Sequence, residues 1–349
     1  MHITYFRSSS YNTHEDCQQR YFIESNLGWG GPSGKAADSG TIVHKALEIL
    51  AMIKVGQQNG KKTISDKITG RISTSKFDLD KILEKCFGYY TELLTHHNWE
   101  EKDYKFCHKT YHKALTASDG MFNPLHRDIV EPELHFDFCI KKDWAKYTYD
   151  GIEGYLAMKG TIDLTTKIAD DTLEVIDWKT GLHCKNFATG KEYTCSADFH
   201  DNMQLRIYHY AVHQTFPEIE QVMMTMFFIN AGGPFTVCFD KNDLIKTEEC
   251  IREKFEAIKK NEKPKLIQRQ DQKWKCRYLC PFGKTTFADT DIKPIQEFRR
   301  GQVTKKGEFM TKCEQVKFEI ERKGMQRVIE EYSADGHCVS KYKAPGEVE

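Results

Sequence analysis

Apolar positions recur at helical spacing through Ile42, Val43, Ala46, Leu47, Leu50 and Ile53 and stop at Gly56, which predicts an amphipathic helix. Residues 11–27 carry helix-like polarity from Asn12 and end at Gly28. The stretch with Gly28, Gly30, Gly31, Pro32 and Gly34 reads as a glycine-rich turn leading to Gly40. Residues 57–75 are polar and rich in Lys, Ser and Thr, as a loop or small insertion would be. A second helix is predicted from Asp78, its buried face marked by Leu79, Ile82, Leu83, Phe87, Tyr90 and Leu93. From Glu133 the period changes to two, with Leu134, Phe136, Phe138 and Ile140 alternating with polar residues as in a half-buried strand.

Further strands are predicted over residues 153–166, 172–179, 222–229 and 235–239. Asp170-Asp171 supplies a tight turn between the first two, so these form an antiparallel hairpin. A helix from about His200 to Thr215, ended by Pro217, separates the second and third, and a charged amphipathic helix follows over about 242–261. Met310, Cys313, Val316, Ile320, Val328 and Ile329 mark one more amphipathic helix. Helices, then strands, then helix again predict an α/β (mixed α+β) fold without internal repeats.

Composition narrows the picture only in part. A chain of 349 residues accommodates one domain with large insertions or two domains. With 51 basic and 51 acidic side chains the formal charge is zero, so binding to nucleic acid requires a local basic groove rather than a global field. No run of about 18 apolar residues is present to span a bilayer, and Met1-His2-Ile3-Thr4 begins no secretory leader, so a soluble, cytoplasmic protein without membrane partners is expected. Twelve cysteines without regular spacing are expected to be reduced thiols, most of them small buried hydrophobes. Beyond Asp289 the chain is highly charged, with Arg299-Arg300 and Lys305-Lys306, and reads as a peripheral appendage.

The chemistry concentrates in Val175-Ile176-Asp177-Trp178-Lys179-Thr180-Gly181. Asp177 and Lys179, two apart on a strand, point to one side while Trp178 points to the other. Asp163, in Gly160-Thr161-Ile162-Asp163, can reach the same place from the neighbouring strand, and His44, in Gly40-Thr41-Ile42-Val43-His44, adds an imidazole. Two carboxylates and an imidazole suit a hard divalent cation and leave positions open for water and a phosphate oxygen. Lys179 can orient that water or offset charge in a phosphodiester transition state. An acid two residues before a lysine also occurs at Asp103/Lys105, Asp271/Lys273, Asp291/Lys293 and Glu321/Lys323. Only Asp177 lies where a buried strand breaks into a turn, where a charge is costly unless it has work. His44 taken alone also fits a satisfied buried histidine, and Glu48, one turn on, fits a partner that orients His44 or, better, a solvated helix residue. Gln204 and Tyr208 share a helix face and fit either a core-edge pair or contacts to a nucleic-acid strand, with Lys185, Lys191 and Arg206 near enough for a basic strip.

Those motifs in that order resemble a RecB-type nuclease of the PD-(D/E)XK superfamily, over roughly residues 8–285. The resemblance implies a restriction-endonuclease-like core, a central mixed β-sheet flanked by helices, over residues 1–288. A helical insertion at about 57–130 and the appendage 289–349 complete it. It implies Mg²⁺ or Mn²⁺ held by His44, Asp163 and Asp177, Lys179 as catalytic lysine, and Gln204 and Tyr208 on the DNA side. Glu133 falls where relatives carry an acidic residue. The implied activity is metal-dependent cleavage of DNA, exonucleolytic on ends or single strands, in recombination, repair or DNA processing. The alternative is a non-cutting module that binds DNA ends or a helicase partner. No Gly-x-x-x-x-Gly-Lys-Ser/Thr signature occurs, so a motor would be a separate chain. Relatives with a [4Fe–4S] cluster place one early and three late cysteines around it. Cys17, Cys276 and Cys280 match three of these, but the spacing from Cys276 to Cys280 is one residue longer and Thr286 stands at the last position. The incomplete set disfavours a cluster against zinc or plain thiols unless Cys313 or another cysteine folds back.

Overall fold

The computed structural model describes residues 1–149, 151–185, 190–267, 273–283, 311–335 and 337. The mixed α/β architecture is as expected: a central mixed sheet flanked by helices. Its strands are β1 (Tyr5–Phe6), β4 (Ile129–Cys139), β7 (Ala157–Ala169), β8 (Thr172–Lys179), β9 (Gln221–Phe228) and β10 (Gly232–Asp240). The sheet runs β1-β7-β8-β9-β10, with β4 on the other edge of β7. Pairing is antiparallel for β4/β7, β7/β8 and β9/β10 and parallel for β8/β9 and β1/β7. The parallel β8/β9 pair needs a crossover, and α6 (Met203–Thr215) supplies it.

The β7/β8 ladder ends at Leu164–Ile176, while β1 pairs with Ala157 and Met158 of β7. Since β4 occupies the opposite edge along this length, β7 between Met158 and Leu164 has no neighbouring strand on the β8 side among the described residues. The sheet therefore forks, and Asp163 and Asp177 sit at the fork. Opposite Asp163, between the pairs Pro132–Leu164 and Leu134–Ile162, Glu133 takes a positive φ of 51°. A backbone irregularity there re-aims neighbouring side chains, as bulges beside active sites do. Ile162 packs on one face of the sheet and Leu164 on the other.

Alternation along β8 builds the two layers. Leu173 and Val175 pack with α6, α7 (Asp243–Lys259) and the N-terminal α1 (Ser8–Asp16) and α2 (Gln18–Tyr21); Ile176 and Trp178 pack against α3 (Lys35–Gln58), α4 (Leu79–Leu93) and α5 (Glu101–Gly120). On α3, Ile42, Val43, Ala46, Leu47, Ile49, Leu50 and Ile53 are all fully buried, each larger aliphatic side chain worth about 1.5–3 kcal/mol.

Several elements differ from the sequence reading. The α3 helix starts at Lys35, so Gly40 lies inside it rather than in a turn; a Cβ there would meet Thr180 Oγ1 at 2.7 Å, so glycine permits the close approach of helix and strand end. Residues 57–75 hold a hairpin, β2 (Thr63–Asp66) with β3 (Gly70–Ser73), not a plain loop. The single strand predicted over 153–166 is two, because β6 (Ile152–Tyr155) pairs with β5 (Lys146–Tyr149) in a separate hairpin. The helix predicted near residues 11–27 breaks at Cys17. The C-terminal helix is also two, α9 (Lys312–Lys323) and α10 (Met325–Tyr332), divided at Gly324, after α8 (Trp274–Tyr278). Cys313, Val316, Ile320 and Val328 join the same apolar cluster as Leu27 and Trp29, while the expected boundary near residue 289, with Thr286, lies outside the described residues. No described helix is long and apolar enough to cross a membrane.

Candidate active site

At the fork, His44 Nδ1 lies 3.3 Å from Asp163 Oδ1, and the Trp178 backbone N–H donates to Asp163 Oδ2 at 2.9 Å. The Lys179 ammonium sits 2.6 Å from Asp177 Oδ2. Gln204, in the first turn of α6, ties the second pair together: its amide N–H group donates to Asp177 Oδ1 (2.8 Å) and to the Tyr208 hydroxyl (2.9 Å), while its carbonyl accepts from Lys179 at 3.2 Å. Asn202 caps α6 by accepting from the Gln204 and Leu205 N–H groups, which sets the height of Gln204 over the strand. Trp178, pointing to the other face, is 1% exposed and stands edge-on to His44.

The electrostatics follow from burial. Burial opposes charge on His44, but the Asp163 carboxylate outweighs it and holds the imidazole pKa above its ordinary value. Burial likewise works against the Asp163 carboxylate, yet His44, Lys179 and the Trp178 N–H bring its pKa below the usual range. Asp177 is displaced the other way: burial, with Asp163 beside it, raises its pKa against the pull of Lys179. Lys179 is raised, because Asp177 and Asp163 overcome its desolvation.

His44, Glu133, Lys179 and Gln204 line a cleft of about 880 Å³ whose wall also includes Lys45, Glu48, Lys185 and Tyr193. Two expectations are corrected here. Glu48 is not solvated: its side chain is 12% exposed and bonds to Lys45, which also pairs with Asp66 of β2 at 2.9 Å, and burial with Glu133 nearby raises its carboxyl pKa. Arg206 belongs to no basic strip, since it is 1% exposed, lies over Phe239 and donates to Thr247; Lys191 pairs with Asp198. Tyr208 is buried against Phe136, leaving its hydroxyl to Gln204. The Lys45–Asp66 pair had no signal in the sequence, because Asp66 reaches Lys45 only through the unforeseen hairpin.

The cysteines named from the sequence also converge. The Cys17 pKa is raised by burial and then by the neighbouring Cys280 and Cys276 thiols; that of Cys313 is raised by burial and by Cys17, Cys280 and Cys276. Geometry supports the grouping: the Lys275–Asp16 ion pair (2.8 Å) joins the residues beside Cys276 and Cys17, the Cys313 N–H donates to Phe282 O (3.1 Å), and Gly283 packs directly on the Cys276 carbonyl.

The profile of the PD-(D/E)XK nuclease superfamily matches residues 8–285. A solved structure of a "putative exonuclease" from Eubacterium rectale is similar at 10% identity and a TM-score of 0.45, over 78% of this chain and 88% of that one. No curated protein matches the chain.

Proposed function

The chain belongs to the PD-(D/E)XK nuclease superfamily, and on that premise we propose that it is a RecB-type, divalent-metal-dependent deoxyribonuclease acting on DNA ends or single strands. The observation that carries the reading is the meeting of His44, Asp163, Asp177, Lys179 and Gln204 at the fork of the sheet, open to a cleft. Mg²⁺ or Mn²⁺ fits the donors there. Asp177 Oδ2 is buried with the Lys179 ammonium beside it, and two carboxylates with one imidazole are the oxygen-rich set such ions take. His44, Asp163 and Asp177 would hold the ion. When bound, it supplies positive charge to the phosphoryl oxygens and a more acidic water.

The chain's own groups do the remainder. Lys179, with its side chain 31% exposed, reaches from Asp177 toward the cleft and offsets negative charge developing on the phosphate. Gln204 fixes Asp177 and Lys179 at once, and the Tyr208 hydroxyl fixes the Gln204 amide. Lys185 on the cleft wall adds positive charge toward a polyanionic strand there, whereas Lys45 is held by Glu48 and Asp66.

The test is degradation of end-labelled linear and circular DNA, single- and double-stranded, with Mg²⁺ or Mn²⁺. Wild type should digest the linear forms, and Asp177→Ala and Lys179→Ala should each slow it by about a hundredfold or more. If wild type leaves every substrate intact, or the variants cut at its rate, the reading fails.

For the thiols we infer an iron–sulfur cluster, with Cys313 as the fourth ligand that the late segment lacks. The approach of all four thiols from segments far apart in sequence, tied by the Lys275–Asp16 ion pair and the Cys313 N–H to Phe282 O bond, supports it.

A further inference from the structure

A second constellation lies away from the fork. Asp38, in the first turn of α3, is 7% exposed, and its Oδ2 is met by His97 Nε2 at 2.6 Å, by Ser33 Oγ at 2.6 Å and by His96 Nε2 at 3.7 Å. The two imidazole nitrogens and the carboxylate oxygen all lie within 4.8 Å of one another. A hydrogen-bonding role accounts for His97, which can donate to the buried carboxylate, but not for His96. Its nitrogen approaches the same oxygen at a distance too long for a hydrogen bond, and its ring lies 4.0 Å from that of His97.

We propose that Asp38, His96 and His97 bind a zinc-class transition ion that clamps the α4–α5 connection onto the start of α3. Two imidazoles and one carboxylate are the donor set of such ions, with water completing the tetrahedron on the side where His96 is 36% exposed. Ser33, donating to the Asp38 carboxylate, orients it as outer hydrogen bonds orient metal ligands. The surroundings are built to hold the loop: Trp99 stands edge-on to His97, and Lys35 donates to Asn98 O and pairs with Asp103. The site is distinct from the fork in its metal preference, since nitrogen donors select zinc-class ions where the paired carboxylates favour Mg²⁺ or Mn²⁺. Asp38 and His44 share one helix, six residues and about 9 Å apart, so the clamp would steady the helix that carries His44. Asp80, His108 and His112 form a similar but more exposed trio, with side chains 53%, 41% and 35% exposed, and serve as the control.

The test titrates Zn²⁺ into chelator-stripped full-length protein in excess Mg²⁺, against a chromogenic competitor. It compares wild type with His97→Gln, His96→Ala and the double variant His108→Gln/His112→Gln. Wild type and the double variant should take up one more equivalent of Zn²⁺ than His97→Gln, and His96→Ala should weaken that equivalent about tenfold or more. Zn²⁺ should raise the melting temperature of wild type but not of His97→Gln. The thiols are intact in all four proteins, so their zinc cancels in the comparison. Equal uptake by wild type, His97→Gln and His96→Ala, or loss only in the double variant, overturns the proposal. If His97→Gln does not fold, His96→Ala decides, because among the described residues His96 makes no hydrogen bond whose loss would unfold the loop. The fork plays no part in this test, so its outcome is independent of the nuclease reading.

Discussion

Asp163, half-buried, and Asp177, buried, carry opposite pKa displacements at one fork, and the difference comes largely from their partners. Asp163 has a backbone N–H and an imidazole, whereas Asp177 has an amide, one ammonium and the field of Asp163. Both carboxylates and the lysine were legible in the sequence because period two puts residues 177 and 179 on one side of a strand. The hairpin turn brings residue 163 alongside. The pairing of His44 with Asp163 was not legible, since it depends on how α3 crosses the sheet. Gly160, three residues before Asp163, marks another constraint invisible in one dimension. An added Cβ would meet the Phe136 ring at 2.4 Å across the β4/β7 pair. Gly160→Ala should therefore cost about 1–3 kcal/mol in urea denaturation, and Phe136→Leu in the same chain should recover part of the loss. An unchanged midpoint would show that the ring moves aside freely.

The α6 helix shows how an element serves two purposes at once. One face offers Gln204 and Tyr208 to the fork, while the other buries Arg206 against Thr247 of α7 and His209 against Phe239 of β10, with His213 edge-on to His209. His209 is fully buried, and burial first, then His213 and Arg206, lowers its pKa to about 3 against the opposing influence of Asp240. The folded protein thus keeps His209 neutral where the unfolded chain, with an ordinary value near 6.5, binds a proton. The associated stability is fully present above about pH 6.5 and is lost as pH falls toward 3, by at most about 5 kcal/mol. His213, also lowered by burial, acts in the same direction. Urea titrations from pH 7 to pH 4 should show a shallower loss for His209→Leu than for wild type; parallel curves would remove His209 from the acid response. The helix was legible from its periodicity and from Pro217, but its buried histidines were not, because pattern alone does not say which polar residues the neighbouring strand covers.

Over the whole molecule, the thiols lie where segments distant in sequence meet. Cys17 lies at the start of α2 and Cys313 at the start of α9, with Cys276 and Cys280 between them in sequence. Trp29 Nε1 donates to Tyr332 O nearby. Anaerobically purified wild type should contain iron and absorb broadly in the visible, and Cys313→Ser should lose both and melt at lower temperature than the exposed control Cys238→Ser. Colourless, iron-free wild type would remove the cluster. The sequence by itself determined what short-range periodicity encodes: the alternation of helices and strands, the β7/β8 hairpin, and Asp177 beside Lys179 on one strand face. Only the tertiary structure decided what depends on distant segments meeting. That includes the fork left between β1 and β8, the place of Glu48 on the cleft wall and the pairing of Asp66 with Lys45, the approach of Cys313 to the other thiols, and the trio of Asp38, His96 and His97. Side-chain direction along one element follows from local backbone geometry, whereas such meetings follow from the packing of the whole core.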